Sequence, residues 1–267
     1  MNMTYLETAQ MMARTAGSLI KQRMDSGFAT EEKSSSFDVV TEVDKASEEL
    51  IRKGILLQHP DHRFLGEEES FVSGKPLQEV LLEAQNEPFL WVVDPIDGTS
   101  NFVQGIPGFT VSIALACRGE LTVGVVYDPV LDEMFWAEKG QGAYLNGKPI
   151  QVASADQLGR SVIATGFPSN MQARGAVYNG LGRLLEQCRT IRSLGSAARH
   201  LAYVGAGRLH GFWENGLNAW DVAAGALIVQ EAGGTVTDTR GEAYSLLTRD
   251  ITASNGRIHE AFVSCLE

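Results

Sequence analysis

Residues 91–102 read Trp91-Val92-Val93-Asp94-Pro95-Ile96-Asp97-Gly98-Thr99-Ser100-Asn101-Phe102, and this stretch decides how the chain is read. An apolar run over residues 89–93 has the length and composition of a buried strand, and it stops at a carboxylate. Asp97, Gly98 and Thr99 follow at once. Pro95 fixes its own φ and biases Asp94 toward extended backbone. Gly98 lets the main chain approach a ligand with no Cβ in the way. Two carboxylates across a tight turn suit hard cations such as Mg²⁺, which prefer oxygen ligands. The plainer alternative is a turn in which Asp94 bonds its own backbone.

Around this centre the chain organises itself by period. Residues 4–24 place Leu6, Ala9, Ala13, Ala16 and Ile20 at helical spacing, with Thr4 and Glu7 as a capping box and Gly27 as the stop. A second helix is predicted from near Asp44 to His59-Pro60-Asp61. Phe64-Leu65 reads as a strand leading into Gly66-Glu67-Glu68-Glu69, and residues 77–84 as a short helix. Beyond residue 102 the period becomes two. Residues 110–117 and 121–127 form a hairpin about Arg118-Gly119-Glu120, and further strands are predicted at 133–138 and 143–145, before an Asn146-Gly147 turn. The last third alternates. Strands are predicted at 162–164, 190–192, 209–213, 235–237 and 261–264, and helices at 173–188, 196–204 and 218–232, the last closed by Gly233-Gly234. A boundary near residues 153–159 divides an N-terminal half, 1–153, from a C-terminal half, 154–267, within one continuous unit.

The formal net charge of −11 disfavours nonspecific binding to nucleic acid or to anionic membranes. It suits an anionic substrate only where bound cations invert the local field. Cys117, Cys188 and Cys265 have neither zinc-like spacing nor an even count, so buried free thiols are expected. No basic leader and no long apolar run is present, and a cytoplasmic setting is the expectation. The five histidines form no metal-like pair, and His59 and His62 read as surface residues.

Four acidic positions compete for the chemistry: Asp44, Glu67 with its neighbours, Asp94 with Asp97, and Asp221. Alone, Glu67-Glu68-Glu69 reads as a solvated loop, Asp44 as a helix cap and Asp221 as an acid in a first helical turn. Lys33 alone is a loop lysine. Gly195-Ser196-Ala197-Ala198 offers either close helix packing or free N–H groups for a phosphate or sugar hydroxyl. Glu214 lies upstream of Asp221, so two acids flank one loop. Carboxylates without thiol or imidazole point to oxygen-loving metals, and such metals suit phosphate-ester hydrolysis. In that chemistry Thr99 orients a water, a carboxylate takes its proton, and the amides of Gly98 and Thr99 hold phosphate oxygens.

With these residues in place the chain resembles the inositol monophosphatase family of Mg²⁺-dependent, lithium-sensitive phosphatases. The resemblance is carried by Gly66-Glu67-Glu68, by Asp94-Pro95-Ile96-Asp97-Gly98-Thr99 with Asn101-Phe102, and by Trp220-Asp221-Val222-Ala223 ahead of Glu231-Ala232-Gly233-Gly234. Lys33, Asp38 and Val40-Thr41-Glu42-Val43-Asp44 fit the N-terminal loop of the family. The match spans nearly the whole chain. It implies an α+β fold, a layered α-β-α-β-α sandwich with mixed, largely antiparallel sheets (the sugar phosphatase fold), in a homodimer. It makes Glu67, Asp94, the Ile96 carbonyl, Asp97 and Asp221 the metal ligands, for roughly two or three Mg²⁺ ions per site. Catalytic roles fall to Thr99, Asp44 and Glu67. Substrate contacts fall to Asp97, Gly98, Thr99, Gly195, Ser196, Ala197, Glu214 and Asp221, and Lys33 to a mobile loop. The expected substrate is inositol 1-phosphate or a similar small polyol phosphate. Histidinol phosphate, fructose 1,6-bisphosphate and 3′-phosphoadenosine 5′-phosphate are the alternatives, and a regulatory or binding protein of the same fold is the rival of another class. Asn218, where animal members often carry histidine, and the extra acid Glu69 bear on substrate preference.

Overall fold

The structure is a computed structural model that describes residues 3–26, 28–35, 38–73, 77–84, 86–168 and 171–266. Helix α1 (Tyr5–Ser26) starts from the expected capping box, in which Thr4 N donates to Glu7 Oε2 at 2.8 Å and Glu7 N to Thr4 Oγ1 at 3.2 Å. Gly27, the expected stop, lies outside the described residues. Strands β1 (Thr30–Ser35) and β2 (Asp38–Thr41) pair as a small antiparallel hairpin, and α2 (Glu42–Gln58) follows directly. Thr41, not Asp44, is the N-cap of α2, and Asp44 is the third helical residue that completes a capping box with it. The buried face of α2 is Val43, Asp44, Ser47, Glu48, Ile51 and Ile55. An apolar stripe would be the norm there; two acids and a serine among the buried positions mark the helix as part of a site.

Next come β3 (Arg63–Gly66), α3 (Glu67–Ser73), α4 (Leu77–Ala84), β4 (Leu90–Asp97) and a one-turn helix α5 (Thr99–Val103). The hairpin segment supplies β5 (Thr110–Cys117), β6 (Glu120–Asp128), β7 (Glu133–Glu138), β8 (Ala143–Leu145) and β9 (Lys148–Ile150). These build a seven-stranded sheet in the order β3-β4-β5-β6-β7-β8-β9, parallel only between β3 and β4. The later elements are β10 (Val162–Thr165), α6 (Met171–Leu185), β11 (Thr190–Arg192), α7 (Ala197–Gly205), β12 (Gly211–Glu214), α8 (Ala219–Glu231), β13 (Thr235–Asp238), β14 (Ile251–Ser254) and α9 (His259–Ser264). Their strands form a mixed five-stranded sheet in the order β11-β10-β12-β14-β13.

Alternation along the strands sorts the core into layers. Trp91, Val93, Val111, Ile113, Val123 and Val125 pack with Ala9, Ala13, Ala16, Ile20, Ile51 and Ile55 of α1 and α2. Leu90, Val92, Ala114 and Ala116 face the other way, onto α7 and α8, which also receive Ala164, Phe212 and Ala253 from the second sheet. Ile163 and Trp213 point outward from that sheet onto Val177, Leu184, Ile258 and Phe262 of the last helical layer. Helix α8 is buried nearly all round because sheets cover both its sides. The result is the expected α-β-α-β-α sandwich.

Two local expectations are corrected. Residues 261–264 belong to helix α9, not to a strand; a short apolar run does not distinguish the two, and Phe262 packs as one helical face. The strand in that region is β14, which pairs with both β12 and β13. His59 and His62 are half-buried rather than on the surface: they stack on each other, Tyr5 meets His59 edge-on, and His62 stacks with Phe89 and Trp91. His62 Nδ1 accepts the indole N–H of Trp91 at 3.0 Å. The cysteines are free thiols, Cys265 buried and the other two half-buried.

Candidate metal centre

Residues three apart in a regular strand point to opposite faces, so a plain β4 would separate Asp94 from Asp97. The pairing with β5 prevents this. Asp94 stands opposite Ser112 and Asp97 opposite Thr110, so three steps on β4 face two on β5. The extra residue is a β-bulge at Pro95-Ile96, a place that tolerates proline because it asks for no ladder N–H. Ile96 turns into the core beside α1 and α2, while Asp97 returns to the face of Asp94, toward α7 and α8.

Three other strand and helix ends bring in the remaining acids. Strands β3 and β4 are parallel with Gly66 opposite Val93, which sets Glu67 and Asp94 side by side just beyond the pair. Helix α8 presents Asp221 in its first turn, where Oδ2 accepts Asn218 N at 2.7 Å. Strand β12 ends at buried Glu214, and its parallel neighbour β10 places Gly166 beside that carboxylate, leaving no room for a Cβ.

Carboxylate oxygens of Asp94, Asp97 and Asp221 lie within 4.8 Å of one another. Glu67 stands outside that set, yet its charge reaches both Asp97 and Asp221. Burial pushes Asp97 up to about 6 against the hydrogen bonds it accepts from Ser196 and the amides of Ala198 and Ala197. Asp221 is raised well above the carboxylate range by desolvation, then by the charges of Asp97 and Glu67. Glu214 is raised likewise, first by burial and then by Asp97 and Asp221. Hydrogen bonds to charged groups return only about 1.5–3 kcal/mol each, and desolvating each carboxylate costs several. The cluster therefore either holds protons or binds cations. Its all-oxygen donor set, converging within ligand distance, fits Mg²⁺.

Asp94 does make the plain turn bond, Ile96 N to Oδ1 at 2.9 Å, so the turn and the cluster coexist. Asp97 Oδ2 accepts Ser196 Oγ and Ala198 N, both at 2.6 Å. The amides of Ala197 and Ala198, open to a ligand in the sequence reading, thus hold Asp97 instead. Gly98 has φ +97°, and a Cβ on it would lie 2.9 Å from the Gly195 carbonyl. Asn101 fastens the same contact by donating from Nδ2 to Leu194 O at 2.8 Å and Gly108 O at 3.1 Å.

Thr99 and Asp44 meet at the rim. Thr99 Oγ1 lies 3.2 Å from Asp44 Oδ1 and 3.0 Å from the Ile96 carbonyl, and its single proton serves one of them at a time. Asp44 Oδ2 accepts Thr41 N at 2.9 Å and the Thr41 hydroxyl at 2.5 Å, which fixes the carboxylate. Lys33 lies in β1, and its side chain is outside the described residues. The sequence reading passed over Glu48, which is buried and accepts the backbone N–H groups of Glu68 and Glu69. Burial raises it to about 7, with Glu67 and Glu69 adding to the rise. Its signal was the spacing: Asp44 and Glu48 are four apart, on the face that also carries Val43, Ile51 and Ile55.

A layered α+β architecture with a carboxylate cluster at the end of strand β4 defines the class. The chain belongs to the inositol monophosphatase family, whose model matches residues 1–267. It is 42% identical over 261 residues to Nus factor SuhB of Escherichia coli K12, covering 97% of this chain and 94% of that one. It is 40% identical over 265 residues to inositol monophosphatase 3 of Solanum lycopersicum, covering 98% and 96%. The fold of the Thermotoga maritima IMPase superposes with a TM-score of 0.86 at 37% identity, covering 99% of this chain and 97% of that one.

Proposed function

We propose that the protein is a Mg²⁺-dependent phosphomonoester hydrolase acting on inositol 1-phosphate or a similar small polyol phosphate. The observation that carries this reading is the convergence of Asp94, Asp97 and Asp221 beside the Thr99–Asp44 pair. In this reading Glu67, Asp94, the Ile96 carbonyl, Asp97 and Asp221 hold the cations. Bound there, Mg²⁺ supplies charge neutralisation for the phosphate and lowers the pKa of water. Thr99, donating its proton to Asp44, keeps lone pairs to accept one from the attacking water. Asp44 is the proton's next stop, and Thr41 holds it in place. Gly98 and Thr99 offer backbone amides to phosphate oxygens, and their close fit against Gly195 fixes that turn. Glu214, at the end of β12, accepts hydrogen bonds from the vicinal hydroxyls of a polyol. Lithium and excess Ca²⁺ are expected to inhibit.

The test is Mg²⁺-dependent phosphate release across inositol phosphates, histidinol phosphate, fructose 1,6-bisphosphate and 3′-phosphoadenosine 5′-phosphate, with Asp94→Asn beside wild type. Equal rates for the two proteins, or release from none of the substrates, would sink the catalytic reading. Preference for one of the last three would move the substrate within the superfamily.

A second role, in binding, is supported by the name Nus factor carried by the E. coli relative, which points to transcription. In this reading it adds to catalysis, since the acidic set is complete. A cytoplasmic setting accords with three free thiols, and no helix among the described residues is long and apolar enough to cross a membrane. The homodimer belongs to the same reading, with exposed Phe167, Met171 and Tyr178 as apolar surface for it. Light scattering on the purified protein measures it directly.

A further inference from the structure

Helix α2 carries two acids one turn apart on its buried face, and they reach different parts of the site. Asp44 meets Thr99. Glu48, only 4% exposed, meets the start of α3. Its Oε2 accepts the N–H of Glu68 at 2.7 Å, and its Oε1 accepts the N–H of Glu69 at 2.8 Å. These are the second and third residues of α3, and Glu67 is the first. Both oxygens of one carboxylate therefore take two of the orphan donors that every helix start leaves open.

The clamp excludes simpler ways of ending the helix. A serine or aspartate at position 66 would cap α3 locally, but a Cβ on Gly66 would collide with the Glu48 carboxylate. The chain instead keeps glycine there and brings the acceptor from 20 residues away. Among the described residues no lysine or arginine pairs with Glu48, so its charge is balanced by the two amides and the helix end. Helix α3 has seven residues, too few to hold its own first turn by backbone bonds alone. What fixes the direction of Glu67 is then the anchoring of that turn to α2.

We propose that Glu48 is a positioning residue for cation binding. By clamping the first turn of α3, it aims Glu67 at the cluster of Asp94, Asp97 and Asp221. The proposal rests on the cation-site reading above and adds a residue to it. Groups that orient ligands in this way are commonly worth about 10–100-fold in metal affinity.

Three variants test it: Glu48→Gln, Glu67→Gln and the double substitution. Mn²⁺ binding to each protein is measured by electron paramagnetic resonance, together with the Mg²⁺ dependence of phosphate release and the melting temperature without metal. Glutamine fills the same space but turns an amide N–H₂ against a backbone donor. The expected result for Glu48→Gln is Mn²⁺ binding and Mg²⁺ half-saturation weaker by about tenfold or more, with release at saturating Mg²⁺ close to wild type. A purely structural role would lower the melting temperature and leave both metal dependences unchanged, and that result overturns the proposal. The double variant is expected to bind Mn²⁺ no more weakly than Glu67→Gln alone, because Glu48 acts through Glu67; additive losses overturn it. Wild-type Mn²⁺ binding in Glu67→Gln removes Glu67 from the cation site and overturns the proposal, while the cluster of Asp94, Asp97 and Asp221 stands. Should Glu48→Gln fail to fold, Gly66→Ala displaces the same carboxylate and is expected to weaken Mn²⁺ binding in the same way; unchanged binding in Gly66→Ala overturns the proposal.

Discussion

Ser196 donates its hydroxyl to Asp97 Oδ2 at 2.6 Å, joining residues 99 apart in the chain. One partner ends β4 of the first sheet, and the other caps helix α7, where Ser196 Oγ also accepts Arg199 N at 3.1 Å. A single hydroxyl thus aligns a candidate metal ligand and starts a helix of the inner layer. Replacing it by alanine removes a cap worth about 0.5–2 kcal/mol. The melting temperature of Ser196→Ala should fall by roughly 2–4 °C per kcal/mol for a chain of this size. The same change removes a bond that lowers the Asp97 pKa, so the acid limb of the activity profile should move to higher pH. A loss of stability with an unmoved acid limb would separate the two roles and refute the second.

The acidic cluster links metal binding to protons. Asp97 stands at about 6 in the fold, above its ordinary 3.8. A group raised in this way contributes its full stability below about 3.8 and loses it as pH rises through about 6. In chelator the protein should therefore weaken between those values as a buried carboxylate ionises. A cation favours the ionised form and reverses the sign. Mg²⁺ binding should release protons, and the gain in melting temperature on adding Mg²⁺ should be larger at about pH 7.5 than at about pH 5. Differential scanning calorimetry at both values checks this. Equal gains would show that these carboxylates do not hold the ion.

Gly98 permits a close backbone-to-backbone approach in the site. Its φ of +97° disfavours any side chain, and a Cβ would press on the Gly195 carbonyl at 2.9 Å. Strain of this kind costs about 1–3 kcal/mol. Gly98→Ala should lower the melting temperature and also slow phosphate release, because relief of the clash moves Thr99 away from Asp44. Wild-type turnover in a destabilised Gly98→Ala protein would show that the turn can shift without disturbing the Thr99–Asp44 pair.

Much of this was legible in the sequence because alternation and turn chemistry are local signals. The strand before Asp94, the hairpin at Arg118-Gly119 and the helix closed by Gly233-Gly234 follow from spacing alone. The bulge was not legible: strand spacing by itself predicts Asp94 and Asp97 on opposite faces, and only pairing to β5 returns them to one. Glu48 was passed over because a glutamate in a helical pattern reads as solvated until the helix is known to bury that face. His59 and His62 misled for the opposite reason, since the partners that bury them, Tyr5, Phe89 and Trp91, come from distant parts of the chain.

Glu214 sets stability against binding most directly. Burial, then repulsion by Asp97 and Asp221, raises its pKa well above 4.5. Stability is therefore lost, by about 1.4 kcal/mol for each pH unit, as pH rises from the unfolded value toward the raised one. Glutamine has the same shape and carries no such cost. In chelator, Glu214→Gln should melt higher than wild type, and the gap should widen as pH rises from about 5 toward the raised pKa of the native carboxyl. The same substitution weakens an acceptor for substrate hydroxyls, so KM for a polyol phosphate should rise, while the Mg²⁺ requirement, set by other residues, should not. Parallel melting curves and substrate titrations measure both effects. A Glu214→Gln protein with unchanged KM would remove Glu214 from the substrate site, and a gap that narrows with pH would mean that the carboxylate is ionised in the native fold.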